Sequence, residues 1–262
     1  MPSTYAHYRL GCEVLEKLPA ALKEIANKNF ESFALGLHGP DLLFYYHPLT
    51  NNDTNAIGYR IHEHFASEFF TRSAATYIKR GKREADRAYL FGFLCHFALD
   101  SEGHPVVNAE MKAKGLSHTE IESAFDRHLL LADGKKPLGT DLTAHICVGQ
   151  KTEDIAAAYF SVSKKKAKKA LKSIKFYNGM LNSGSAVVRG FVIFSLKISR
   201  MWDIMHGMMM PKSIESQWQD GIRGLDEAYE RAIDKAVRLI ENLDGYLSGK
   251  CAMSGELNRD FE

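Results

Sequence analysis

The chain has 262 residues, 45% of them apolar and 25% charged, and a net charge of +2 that singles out no class of partner. This is enough for a sizeable core, in one large domain or a domain with an appendage. Four widely spaced cysteines (Cys12, Cys95, Cys147, Cys251) exclude a thiolate zinc ribbon, a Cys-x-x-Cys redox pair and a small disulfide framework, and read as reduced and mostly buried. No apolar run approaches the roughly 20 residues of a spanning helix. The stretch Met1–His7 has neither a basic nor an apolar signal region, so a cytoplasmic location is expected.

Residues 5 to 28 carry a helical apolar stripe (Leu10, Val14, Leu15, Leu18, Leu22, Ile25), kinked or restarted at Pro19. A short apolar stretch follows at 30 to 37. Residues 38 to 56, with His38-Gly39-Pro40-Asp41, Tyr45-Tyr46-His47-Pro48 and a run of Asn, Asp and Thr, read as a long functional loop. A helix is expected over 57 to 80, with His62 and His64 near its start, and a central helix over 84 to 102. Gly103 and Pro105 place a connection at 103 to 116, because a residue before proline is pushed out of the helical region. Ser117 and Glu120 form a capping box that opens a helix over 118 to 131.

Asp133-Gly134-Lys135-Lys136-Pro137 is turn chemistry within a loop-like stretch at 132 to 152. From 153 onward the pattern is again helical. Ser163 caps a helix to about 181 whose lysines share a solvated face. An apolar helix at 185 to 208 is broken by Arg189, Lys197 and Arg200. A charged amphipathic helix at 213 to 247 and a loose tail of about a dozen residues complete the chain. No strand pattern of useful length occurs. The expected fold is an all-α, multihelical bundle, with a core over 1–131 and a helical C-terminal half over 132–262 packed on it as one domain.

The chemistry concentrates between residues 96 and 122. His96 and Asp100 are four apart, as are His118 and Glu122, so each pair shares one face of a helix, and His104 lies at the expected break between the two helices. Leu94, Phe97, Leu99, Ile121 and Phe125 surround them with apolar positions. Ionisable groups buried there need a cation or a dense hydrogen-bond network. Imidazole and carboxylate are ligand types that zinc takes. Further candidates are His7, Asp41 and either His62 or His64.

In order and spacing, His7, Gly39-Pro40-Asp41, His62, His96-x-x-x-Asp100-x-x-x-His104 and His118-x-x-x-Glu122 resemble the zinc-dependent phospholipase C family, an all-helical fold that shares its site plan with the single-strand-specific zinc nucleases. The resemblance covers roughly residues 1 to 131. It implies that His62, His96 and Asp100 hold one zinc with Asp41 beside it as ligand or general base, and that His104, His118 and Glu122 hold a second. Asp100 would bridge to a third zinc held by His7 and the chain's N-terminus. Two ions are expected. His62 is preferred to His64 because the family's ligand follows the apolar residue that opens its helix, here Ile61. The chain departs from the secreted members in lacking their first tryptophan.

The implied activity is hydrolysis of a phosphodiester, with a phospholipid headgroup as the leading substrate and transient contact with a membrane surface. The competing readings are a zinc nuclease or nucleotidase, favoured by a basic groove with stacking aromatics, and a non-catalytic metal-binding protein that retains the fold, favoured by a closed coordination shell.

Overall fold

In the computed structural model, which describes residues 3–261 apart from the side chain of Ile204, the regular structure is helical and the described residues contain no strand. The α-helices are, in chain order, α1 (Thr4–Lys17), α2 (Ala20–Lys28), α3 (Phe30–Gly36), α4 (Asp53–Glu63), α5 (Ala66–Lys79) and α6 (Glu84–Lys114). They continue as α7 (His118–Ala132), α8 (Gln150–Tyr159), α9 (Lys164–Leu181), α10 (Ala186–Ile198), α11 (Trp202–Met205) and α12 (Gln219–Leu247). Short 3-10 segments lie at Gly39–Tyr45, His206–Met208, Ser216–Trp218 and Gly255–Leu257.

The bundle is built around α6. Every residue from 88 to 101 is buried, so this helix has no solvent face over those turns and needs neighbours on all sides. α1, α2, α3, α7 and α12 supply them. α3 crosses α6 at van der Waals contact through two glycines. A Cβ on Gly36 would lie 2.1 Å from the Tyr89 carbonyl oxygen, and one on Gly92 would lie 2.1 Å from that of Phe33. One continuous core extends from Tyr5 through Phe261. A smaller cluster of Leu181, Val192, Leu196, Met205 and Met209 lies under α10.

Four sequence expectations are corrected. First, α6 does not stop before Gly103 but continues through Pro105 to Lys114, where Gly115 turns the chain with φ of +68°. A proline inside a helix costs about 3 kcal/mol. Here tertiary contacts outweigh that cost. From α12, Lys235 donates to Ser101 Oγ (2.9 Å) and Glu102 Oε1 (3.0 Å), and Arg231 donates to Glu102 Oε2 (3.1 Å), so the turn before the proline is fixed from outside.

Second, the segment 38 to 56 is not a loop throughout. Residues 39–45 coil into a 3-10 helix, and the Asn, Asp and Thr run is a cap: Asn52 Oδ1 accepts from the N–H groups of Thr54 and Asn55 and starts α4. The expected 57–80 helix is therefore two helices that break at His64, whose backbone is extended. His62 closes α4 and does not open a helix.

Third, the apolar 185–208 segment divides after Ile198, with Arg200 at φ of +56°. Fourth, the residues after 250 are not a loose tail. The Ala66 N–H donates to the Arg259 carbonyl (2.8 Å), the Phe261 N–H donates to the His62 carbonyl (3.2 Å), and Phe261 is fully buried.

Candidate metal centre

α6 carries three of the candidate residues in one line. Because the helix passes unbroken through Pro105, His96, Asp100 and His104 recur at steps of four on one face. α1 brings His7, the 3-10 segment brings Asp41, α4 brings His62, and α7 brings His118 and Glu122. These eight residues converge. His64 does not: it is 53% exposed and pairs with Glu68 on the surface at 3.2 Å.

Asp100 is the hinge of the cluster. Its Oδ1 lies 3.3 Å from His7 Nε2 and 4.0 Å from His104 Nε2, while its Oδ2 lies 3.0 Å from His96 Nε2 and 3.7 Å from His62 Nε2. Asp41 Oδ1 lies 3.1 Å from His62 Nε2 and 3.9 Å from His96 Nε2. On the other side, Glu122 Oε1 lies 3.2 Å from His118 Nε2 and 4.0 Å from His104 Nε2. Three ligand groups result, each compact enough for a single ion: Asp41 with His62 and His96, His7 with His96 and Asp100, and His104 with His118 and Glu122. The expected ligation of a third ion by the chain's first residue falls outside the described residues. Ser3 places its Oγ 3.4 Å from Glu122 Oε1.

Local structure explains how each side chain is aimed. Gly39, with φ of +46°, lies against the His96 ring, and a Cβ there would come within 2.1 Å of His96 Cδ2. Only glycine fits both demands, and the next turn then directs Asp41 inward. His62 Nδ1 donates to the Gly58 carbonyl one turn back (2.9 Å), and His104 Nδ1 donates to the Phe261 carbonyl (2.7 Å). A carbonyl can only accept, so each Nδ1 holds a proton and turns Nε2 toward the cluster. Asp126 on α7 accepts from the N–H groups of Tyr5 (3.1 Å) and Ala6 (2.8 Å), which fixes the first turn of α1 and thus His7.

Sequence reasoning passed over Phe261 and Asp126. Asp126 lies one turn beyond Glu122 on the same helix, which is a faint signal. Leu257 and Phe261, four apart in a polar stretch, are the only hint of the other.

The electrostatics oppose the burial. Burial alone would raise the Asp100 carboxyl, yet the charges of His96 and His104, with contacts from His62 and His7, hold it well below its ordinary range. Burial lowers His62, but Asp100 and Asp41 outweigh it and push the imidazole up to about 10. Burial wins at His96 and lowers it, and burial pushes Asp126 up to about 8.

The unpartnered atoms test whether a cation fits. Both ring nitrogens of His7 and His96, Nε2 of His62, His104 and His118, Asp41 Oδ1, Asp100 Oδ2 and Glu122 Oε2 are buried without a hydrogen bond. Each such atom costs about 1–3 kcal/mol when left unsatisfied. So many nitrogen and oxygen atoms facing one another at 3–4 Å could hold cations, and their types suit zinc.

A family model described as zinc dependent phospholipase C matches residues 6–183. The chain belongs to the zinc-dependent phospholipase C family. No curated protein and no solved structure is significantly similar to the chain. The match runs past residue 131, where the motif resemblance ends, and takes in α1 through α9 with all eight convergent residues. It stops before α10, α12 and the 254–261 segment, so Phe261 reaches the candidate centre, and Lys235 and Arg231 reach α6, from outside the matched region.

Proposed function

We propose that the chain is a zinc-dependent phosphodiester hydrolase of phospholipase C type, using His7, Asp41, His62, His96, Asp100, His104, His118 and Glu122 to hold zinc. The observation that carries this reading is the set of buried, unpartnered nitrogen and oxygen atoms on these eight side chains, knitted together by Asp100. His62, His96 and Asp41 would hold one ion, His104, His118 and Glu122 a second, and His7 with Asp100 would lie between them. Bound zinc would supply Lewis acidity, lowering the pKa of water toward neutrality and neutralising phosphate oxygens.

The chain's own residues do the rest. Asp100 presents one oxygen to each side of the cluster, so it holds the two ligand groups in register. Asp41 belongs to the first group, where its carboxylate would orient the attacking water and accept its proton. The carbonyls of Gly58 and Phe261 fix the tautomers of His62 and His104. Of the eight side chains, His118 is the most open to solvent, at 29%, and it marks the side from which a diester approaches.

Asp100→Asn tests the assignment. It removes the shared negative charge with little change in shape. The variant is expected to lose most of its zinc and its phosphodiesterase turnover together. Zinc content equal to that of the parent protein would refute the ligand assignment.

A further inference from the structure

We propose that α10 is a membrane-docking helix that lies flat on an anionic phospholipid surface. α10 buries Arg189, Val192 and Leu196 against the protein and turns Val187, Phe191, Phe194 and Ile198 to solvent. These four residues are 81%, 65%, 62% and 69% exposed. Their spacing of four, three and four places them within an arc of about 60° at 100° per residue. A contiguous stripe of two phenylalanines and two aliphatic residues is unusual on a soluble surface and marks an interaction site. Apart from Arg189 the inward face of this helix is apolar as well, so propensity for the core does not account for the outward one.

The charge of the helix and of the chain segment leading into it selects the partner. From residue 155 to residue 202 the chain contains no Asp or Glu, while it contains Lys164, Lys165, Lys166, Lys168, Lys169, Lys172, Lys175, Lys197, Arg189 and Arg200. Two of these are tied to acids upstream, Lys164 to Asp154 and Lys168 to Glu153, which leaves the segment strongly positive. A symmetric contact between two copies would bring this positive segment against itself. An anionic lipid surface complements it, at about 1 kcal/mol per cation near the surface. An apolar stripe flanked by basic residues is the pattern of an interfacial helix. Its 13 residues extend about 20 Å, short of the roughly 30 Å hydrocarbon core, so it lies on a bilayer and does not cross one. No single described helix is long and apolar enough to cross.

The segment that follows the helix packs on α7, which carries two of the candidate metal ligands. Just downstream, His206 Nε2 lies 3.4 Å from Glu120 Oε1, and Ser123 Oγ donates to the Gly207 carbonyl (2.6 Å). Glu120 and Ser123 flank Glu122 on α7. A cavity of about 190 Å³, lined by residues including Glu120, Arg189, Trp202 and His206, lies between the two helices. Docking on α10 would hold α7, which carries His118 and Glu122, close to lipid headgroups. That use of the surface rests on the hydrolase reading, whereas the docking itself requires no turnover.

The test is flotation of the full chain with phosphatidylcholine vesicles, with and without phosphatidylglycerol. The parent protein is expected to float with the anionic vesicles. Phe191→Ser combined with Phe194→Ser is expected to lower the bound-to-free ratio at least about tenfold, the factor carried by about 1.4 kcal/mol. Lys165→Glu combined with Lys172→Glu is expected to weaken the preference for anionic over neutral vesicles. Ile78→Ser, at another exposed apolar position, serves as the control and is expected to bind as the parent does. Helical content and zinc content, measured in parallel, show that each variant is folded. Equal flotation of the parent and the phenylalanine variant would overturn the proposal. So would a parent that ignores vesicles but becomes monomeric only when the phenylalanines are removed, since that would make the face a contact between copies. Vesicle binding without phosphodiester turnover would leave the docking inference standing and refute the hydrolase reading alone.

Discussion

Phe261 is predicted to be part of the candidate metal centre in function, although it offers no side-chain ligand. The Phe261 ring packs against Phe97, His62 and His96 at centroid distances of 5.1, 5.2 and 6.0 Å. Its backbone donates to the His62 carbonyl and accepts from His104 Nδ1. Two perturbations separate the ring from the backbone. Phe261→Ala keeps both backbone bonds and empties a fully buried site, so it should lower stability by about 3–5 kcal/mol. Zinc affinity should change little in the folded fraction. Deletion of residues 259–262 also removes the carbonyl that holds His104 in its ligand tautomer. Loss of such an outer partner costs about 10–100-fold in metal affinity, and the loss should fall on the ion held with His118 and Glu122. The assay is competition with a chromophoric chelator, alongside urea unfolding of the zinc-free proteins. An intact zinc affinity in the deleted protein, measured where it is still folded, would refute the reasoning. So would equal affinity losses in the deletion and in Phe261→Ala.

Asp41→Asn should reduce phosphodiester turnover by about 10²–10⁴-fold, the range of a general base, with a smaller proportional loss of bound zinc. Turnover that merely tracks zinc content would assign Asp41 to ligation alone. A pH dependence is expected from buried His38 and half-buried His145, whose Nε2 atoms lie 2.7 Å apart. Burial, with Lys175 adding to it, pushes His145 down to about 3, whereas an unfolded histidine titrates near 6.5. Between those values the unfolded chain binds the proton and the folded one does not, so this stabilisation is complete above about pH 6.5 and is lost as the pH falls. By pH 5 the loss amounts to up to about 2 kcal/mol. Urea unfolding of the zinc-free protein at pH 7 and pH 5 should therefore show a shallower pH dependence in His145→Gln than in the parent. Equal slopes would contradict this.

The parts of the centre visible in the sequence were those with helical spacing. His96 with Asp100 and His118 with Glu122 could be placed on helix faces because a step of four is a local property. Gly39-Pro40-Asp41 reads from sequence as loop, and the 3-10 coil that these residues open is not visible there. Pro105 was misread because the rule for residues before proline is local, whereas the contacts of Lys235 and Arg231 that hold the preceding turn come from 130 or so residues away. Asn52 was assigned to a loop because Asn, Asp and Thr serve loops and caps alike. The resemblance prefers His62 to His64 for the apolar Ile61 before it, but His62 closes its helix, and it is burial that separates the two. Only its spacing from Leu257 hints at Phe261, whose partners His62 and His104 lie far earlier in the chain. The 185–208 segment was recognised as apolar, but only the structure divides it and turns one apolar face outward.

The most direct test of the central claim is the zinc content per chain, measured by elemental analysis on protein purified without a histidine tag, together with phosphodiester turnover before and after chelation. The account predicts at least two zinc ions per chain, turnover abolished by chelator, and its recovery when zinc is restored. A chain that takes up no zinc even on reconstitution, or that hydrolyses the diester equally well without it, would contradict the account.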